Sequence, residues 1–337
     1  MKSANDALEE RLRRLATADD VTGAALAVVR QGVIEIATAG VKDVDTLQPV
    51  RHDTLFDVAS LSKPLMAYAV LQLANQCVMD LDEPLAGMWR PPVADDPAAA
   101  RITARHVLTH TCGLQNLRGK EPLRMFFEPG AWFSYSSVGF AYLQSAIESR
   151  TKERLEVLMQ RLVLEPLGMH ASSFEWQPRF DSVAAQPHED GQRLAKHHPP
   201  VASASYSLQT TAGDYARFVA AVLRGERLAP ATQRSWVTAH VQVPRGAVVH
   251  LEGTPPQVEP GIGWGLGWGV EPGAGTFFQW GKMEGVRAFA MGSVAQQTAL
   301  VLLTNSNRGL RLMAPLAQEV LPGAHPAIGW LLANVTE

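Results

Sequence analysis

Apolar and polar positions alternate along this chain in a few well-marked patterns. The opening run MKSANDALEERLRRL sets leucines among acids and arginines, which predicts an amphipathic helix ending before Val21. Ala24–Arg30 and Val33–Ala39 read as two strands joined at Gln31-Gly32, a two-residue hairpin signal. Leu65, Met66, Ala69, Val70, Leu71 and Leu73 then spread round much of a helix, so that helix is expected to be buried. From about Asp80 to Ser203 the pattern is helical and loop-like, with proline clusters at Arg90–Pro97 and His197–Pro200. A helix is predicted over Thr211–Arg224. Thr276–Trp280, Val286–Met291 and Ala299–Thr304 alternate or run apolar, like strands of one antiparallel sheet. A final helix is predicted over Gly309–Val320. GIGWGLGWG at Gly261–Gly269 reads as a turn entering a strand, because it neither fits G-x-G-x-x-G nor opens a helix. Helices flanking an antiparallel sheet, with a helical insertion, give an α+β class. The expected organisation is a sandwich lobe from 1–79 and 204–337, and a mainly helical lobe from 80–203.

Composition narrows the function more than the fold. At 337 residues and 46% hydrophobic, the chain can bury a large core. A net charge of −3 gives no sign of a nucleic-acid or acidic-membrane partner. No run is long enough to span a membrane, and the N-terminal segment lacks the apolar stretch of a signal peptide. Two cysteines, Cys77 and Cys112, each in an apolar segment, fit a reducing compartment better than a disulfide framework. The expectation is a cytoplasmic protein. Its oligomeric state is not legible.

The candidate chemistry lies in FDVASLSKPLMAYAVLQL, starting at Phe56. Ser60-Leu61-Ser62-Lys63 is an S-x-x-K tetrad at a helix start, with hydroxyl and amine on one face. Pro64 has no backbone N–H, and its ring would clash with the Ser60 carbonyl in a continuous helix. Ser60 is therefore expected at or just outside the first turn, where unpaired N–H groups can face a developing oxyanion. The helix dipole and burial both disfavour a proton on Lys63, and a neutral amine could take the proton of Ser60. A serine cap beside a surface lysine is the plainer reading, and the buried character of the helix counts against it. A second tetrad, Ser149-Arg150-Thr151-Lys152, sits in a polar joint between two helical runs and reads as a helix end. His106 and His110 stand four residues apart but lack the surroundings of a metal site, so they are assigned to packing. His188, His197 and His198 are expected to be exposed. G-x-S-x-G, Walker and Cys-x-x-Cys patterns are absent from the sequence.

FDVASLSKP resembles the nucleophile segment of the serine beta-lactamase, penicillin-binding protein and family VIII esterase superfamily. Further segments resemble that family in the same order. Val21–Arg51 resembles its paired N-terminal strands. ARHVLTHTCGL, PGAWFSYSSVGFAYL, LEPLGMHASSF, SLQTTAGDYARF, GWGLGWGV and LTNSNRG then follow in family order. The resemblance spans nearly the whole chain and implies a beta-lactamase/transpeptidase-like fold. It implies Tyr135 as general base or proton shuttle with Lys63, with Ser137 at the third position of the tyrosine motif. It implies a site-lining strand at Gln279-Trp280-Gly281, with the N–H of Lys282 completing an oxyanion hole beside that of Ser60. Two positions depart from the family. Ser137 stands where penicillin-recognising relatives carry asparagine, and Gln279 stands where a lysine or histidine is common. Alternation puts Lys282 on the other strand face from Gln279 unless a bulge intervenes. Trp280 is open between an acyl pocket and the core.

The catalytic set expected is thus Ser60, Lys63 and Tyr135. Ser137, Gln279, Trp280, Gly281 and Lys282 serve substrate and oxyanion, and no cofactor or metal is needed. The expected function is a serine hydrolase forming an acyl-enzyme, most simply a carboxylesterase on small uncharged esters. A beta-lactamase or D-amino-acid peptidase, an acyltransferase or cyclase of secondary metabolism, and a non-turnover penicillin- or peptide-binding protein stand as alternatives. The partner is a small-molecule ester or amide, without nucleic acid or membrane.

Overall fold

The computed structural model describes residues 4–253 and 257–335. Helix α1 (Ala4–Ala18) leads into strands β1 (Gly23–Arg30), β2 (Val33–Asp43), β3 (Gln48–Pro49) and β4 (Phe56–Asp57). Helix α2 (Ser62–Asn75) follows, then α3 (Ala104–Leu108), α4 (Ser137–Thr151) and α5 (Leu155–Met159). The short strands β5 (His188–Glu189), β6 (Gln192–Arg193) and β7 (Gln209–Thr210) precede α6 (Ala212–Arg224) and α7 (Pro230–Trp236). Strands β8 (Val241–Pro244), β9 (Val258–Trp264), β10 (Gly269–Glu271), β11 (Thr276–Met283), β12 (Val286–Ser293) and β13 (Thr298–Thr304) lead to α8 (Met313–Val320) and α9 (Pro326–Val335).

The class is α+β, as expected. Nine strands form one antiparallel sheet in the order β3-β2-β1-β13-β12-β11-β10-β9-β8. The central strands are apolar on both faces because both faces are covered. Ala25, Ala27 and Val29 of β1 join one core with α2 and α6, while Ala24, Leu26 and Val28 join a second with α1, α8 and α9. The first core does not stop at the sheet. It runs on through α2 into Leu143, Ile147, Leu158 and Met159 of the helical segment.

Several local expectations changed. The glycine-rich run is a complete hairpin, β9 to β10, with Gly267 at φ +95° in its turn. A Cβ at Gly267 would lie 2.5 Å from that of Ala67, so close packing on α2 requires glycine there. The chain does not end its helices at Val320. Helix α9 follows, and its apolar side packs against β9. His188 is buried, not exposed, with Nδ1 at 3.1 Å from the Asn305 carbonyl and Nε2 accepting from the Val44 amide at 3.3 Å. Its short β5–β6 hairpin gave no periodic signal. His197 and His198 are exposed. Among the described residues no helix is long and apolar enough to cross a membrane.

Candidate active site

Pro64 dictates the local geometry. It lies in the first turn of α2, where a missing N–H costs nothing, and the regular helix starts only at Ser62. Ala59–Leu61 forms a separate 3-10 turn in front of it. Ala59 opens that turn at φ +46°, a left-handed conformation costing a non-glycine residue about 1–2 kcal/mol. Pairing of β4 with β7 holds the segment just before this turn, with Asp57 opposite Gln209. The strained turn presents half-buried Ser60 to a cleft of about 830 Å³.

Lys63 is fully buried. Its Nζ lies 2.9 Å from Ser60 Oγ and 2.9 Å from the carbonyl of Ser205. Burial pushes its pKa down to about 7. A neutral amine suits this setting: one N–H donates to the Ser205 carbonyl, and the lone pair is left to accept from the serine hydroxyl. Ser62, the other hydroxyl of the tetrad, is already committed. It donates to the Ala59 carbonyl at 2.7 Å and accepts from the Leu208 amide at 3.0 Å. The second tetrad lies at the end of α4, where Lys152 caps the helix in a left-handed conformation.

Tyr135 arrives from the loop before α4, with its ring centroid 4.9 Å from Lys63 Nζ. Its hydroxyl accepts a 2.9 Å bond from Gln279 Nε2 and interacts with the Ser60 side chain. The sequence suggested a phenol that loses its proton readily. Burial instead pushes its pKa up, against smaller opposing effects from Ser60 and Gln279. Gln279 brings no charge to offset that burial. It is itself buried, and its Nε2 also donates to the Ser60 carbonyl at 3.3 Å.

Residues 279–282 divide between the two faces of β11. Pairing with β12 is unbroken from Thr276 opposite Ser293 to Met283 opposite Val286, so no bulge reorients Lys282. Gly281 faces the nucleophile turn so closely that a Cβ there would lie 2.1 Å from the Val58 carbonyl oxygen. Trp280 is buried away from the cleft, its ring 5.1 Å from Tyr135 and 6.0 Å from both Trp264 and Trp330. It belongs to the core and builds no acyl pocket. Lys282, exposed near the strand end, lines the cleft, as does Ser137.

Two participants, Asn116 and Ser205, escaped the sequence reading. Asn116 Oδ1 accepts from both the amide and the hydroxyl of Ser137, at 3.1 and 3.0 Å, and Asn116 lines the cleft. An amide therefore stands beside the position where Ser137 lacks one. Asn116 lies two residues past the segment ARHVLTHTCGL, Ala104–Leu114, which was its only signal. Ser205 acts through a backbone carbonyl, which leaves no mark in residue type. His110, assigned to packing, is buried and stacks on Tyr135 at 4.0 Å. Its Nδ1 accepts from the Ser136 amide at 3.0 Å, while burial and then Lys63 push its pKa well down, so it is a neutral buttress. His106 instead caps α3 through Thr103.

A family model described as Beta-lactamase matches residues 8–324. This chain belongs to that family. Among the relatives of this Beta-lactamase family member is "Esterase EstB" of Burkholderia gladioli, 32% identical over 206 residues, 51% of each chain. "Penicillin-binding protein 4" of Amycolatopsis lactamdurans is 30% identical over 181 residues, covering 49% of this chain and 48% of that one. The chain thus spans about half the length of these curated relatives. A crystal structure of SurE superposes with a TM-score of 0.77 at 25% identity, covering 95% of this chain and 77% of that one. A class C beta-lactamase superposes with a TM-score of 0.77 at 18% identity, over 95% and 97% of the two chains. It shares the fold.

Proposed function

We propose that this chain is a serine hydrolase, a carboxylesterase that forms an acyl-enzyme at Ser60. The observation that carries the reading is the buried Lys63 amine, its pKa near 7, at 2.9 Å from Ser60 Oγ. Lys63 takes the hydroxyl proton as Oγ bonds to the carbonyl carbon. The Ser60 and Lys282 amides receive the oxyanion, a role supported by the close approach of β11 to the nucleophile turn at Gly281. As the bond to the leaving oxygen breaks, the proton reaches it through the Tyr135 hydroxyl, which stays a phenol and shuttles instead of acting as a resting base. Water, activated by the same pair, then cleaves the acyl-enzyme.

The substrate is a small ester, uncharged at its reacting end. The similarity to Esterase EstB supports an ester. Gln279 supports the lack of charge, since it offers an amide where a cation would grip a carboxylate. The two unpaired cysteines, Cys77 exposed and Cys112 buried, suit a reducing compartment such as the cytoplasm. Losing one charge-assisted contact lowers binding by about 1.5–3 kcal/mol, roughly 10- to 100-fold. Catalytic efficiency on p-nitrophenyl butyrate should therefore exceed that on a chromogenic cephalosporin. A cephalosporin preferred tenfold or more would replace the ester reading with a beta-lactamase one. A fluorophosphonate probe should label Ser60, and labelling at Ser62 or Ser149 would overturn the assignment of the nucleophile.

A further inference from the structure

The cleft over Ser60 has a charge pattern at odds with the rest of the chain. Arg90, Arg118 and Lys282 line it, and no aspartate or glutamate does so among the described residues. The chain as a whole carries a net charge of −3. Elsewhere between residues 80 and 203, every arginine but Arg179 pairs with a carboxylate, Arg193 with Asp45. Arg101, Arg105, Arg124, Arg150, Arg154 and Arg161 each face a carboxylate. Arg179 is tied to Gln177 and to the His170 carbonyl. Arg90 and Arg118 are exposed and have no carboxylate partner among the described residues, and both lie on the cleft. The case rests on these two.

Each of the two follows an exposed apolar neighbour. Trp89 is 51% exposed, Leu117 is 70% exposed, and both line the same cleft with Tyr206 at 41%. Large apolar groups left in water at a cleft mouth mark a binding surface. At about 830 Å³ the cleft lies within the range of about 300–1,000 Å³ typical of small-molecule sites. Its wall therefore combines apolar area with guanidinium forks, which match the two oxygens of a carboxylate.

We infer that the preferred substrate is an ester whose apolar arm ends in a carboxylate, with the ester at Ser60 and the carboxylate between Arg90 and Arg118. This rests on the esterase reading and refines it. The reacting end is uncharged beside Gln279, and the far end of the molecule is anionic.

The test compares p-nitrophenyl hydrogen adipate with p-nitrophenyl hexanoate, two esters of equal chain length that differ in the terminal carboxylate. The readout is the ratio of their kcat/KM values, in the native protein and in the double variant Arg90→Glu/Arg118→Glu. The native ratio should favour the adipate by about 10-fold at low salt, through KM, and should shrink as salt is added. The charge-reversed variant should invert it, and Arg90→Gln and Arg118→Gln should each lower it part-way. Preference for the hexanoate in the native protein would overturn the inference while leaving the esterase reading intact. So would a ratio that the charge reversal leaves unmoved. Turnover of neither ester would overturn the esterase reading and this inference with it.

Discussion

At the scale of the residue, the site is a proton problem solved by burial. An ordinary lysine, with a pKa near 10.4, is charged at neutral pH and cannot accept a proton. Lys63 has its pKa brought down to about 7, so roughly half its amines carry a lone pair at that pH. The sign follows directly. Below about pH 7 the ammonium dominates, and kcat/KM should fall about tenfold per pH unit; above it, activity should level off. An ascending limb centred near pH 10 would mean that Lys63 is not the base. Lys63 and Tyr135 both contact Ser60, so removing either interrupts one relay. Lys63→Ala and Tyr135→Phe should each cost about 100-fold or more in kcat, and the double variant should be little worse than either single one. Losses that multiply would separate the two roles. The tetrad and the tyrosine were legible because their residue types carry the chemistry. The carbonyl of Ser205 was not, because any residue supplies a carbonyl. Trp280 was legible as apolar only. Which face of β11 it takes depends on Trp264 and Trp330, far away in sequence.

At the scale of the element, the site depends on how closely β11 lies against the turn that carries Ser60. The strands β1, β11, β12 and β13 were readable from apolar runs, since burial on both faces leaves little else possible. The strands β8 and β9 were not, because β8 is only four residues long and proline and glycine interrupt the pattern of β9. Nor did any pattern show that Ala59 turns left-handed to present the serine. Gly281 links sheet and site. An added Cβ would sit 2.1 Å from the Val58 carbonyl oxygen, a backbone atom with no rotamer to escape into. Contact at an ordinary van der Waals distance would need a separation of about 1 Å more between strand and turn, and a misplacement of that size can cost about 100-fold in rate. Gly281→Ala should therefore lower kcat by about two orders of magnitude in protein that is still folded by circular dichroism. Near-native kcat would show that the separation of strand and turn does not govern the oxyanion position.

At the scale of the whole molecule, the cleft sits where the sheet-bearing and helical parts meet. Ser60 comes from the turn before α2, Lys63 from the first turn of α2, Tyr135 and Ser137 from the entry to α4, and Gln279 from β11. We propose the division into a sandwich part, 1–79 with 204–337, and a helical part, 80–203. The order of the elements shows why the two cannot part easily. The helical part is an insertion, with both its ends fixed to the sandwich through α2 and α6. Its core is continuous with the sandwich core. Leu65, Met66 and Tyr68 of α2 belong to the same buried cluster as Leu143 and Ile147 of α4 and Ala27 of β1. Unfolding the helical part alone would expose the side of α2 that it covers, at roughly 25 cal/mol per Å² of apolar surface, and would break the bonds from Gln72 to the Leu162 carbonyl and from Gln279 to the Tyr135 hydroxyl. The two parts should therefore unfold as one cooperative unit, although the chain is long enough to hold two domains. Five of the eight tryptophans, Trp236, Trp264, Trp268, Trp280 and Trp330, lie in the sandwich, Trp89, Trp132 and Trp176 lie in the insertion, and the long helix α4 lies wholly within the insertion. In urea, tryptophan fluorescence and far-UV circular dichroism should trace a single coincident transition. Native-state hydrogen exchange should give amides of α4 and β12 the same opening free energy. Separate midpoints, or α4 amides that open well before those of β12, would make the helical part an independent lid, and the geometry between Tyr135 and Ser60 would then depend on its closure.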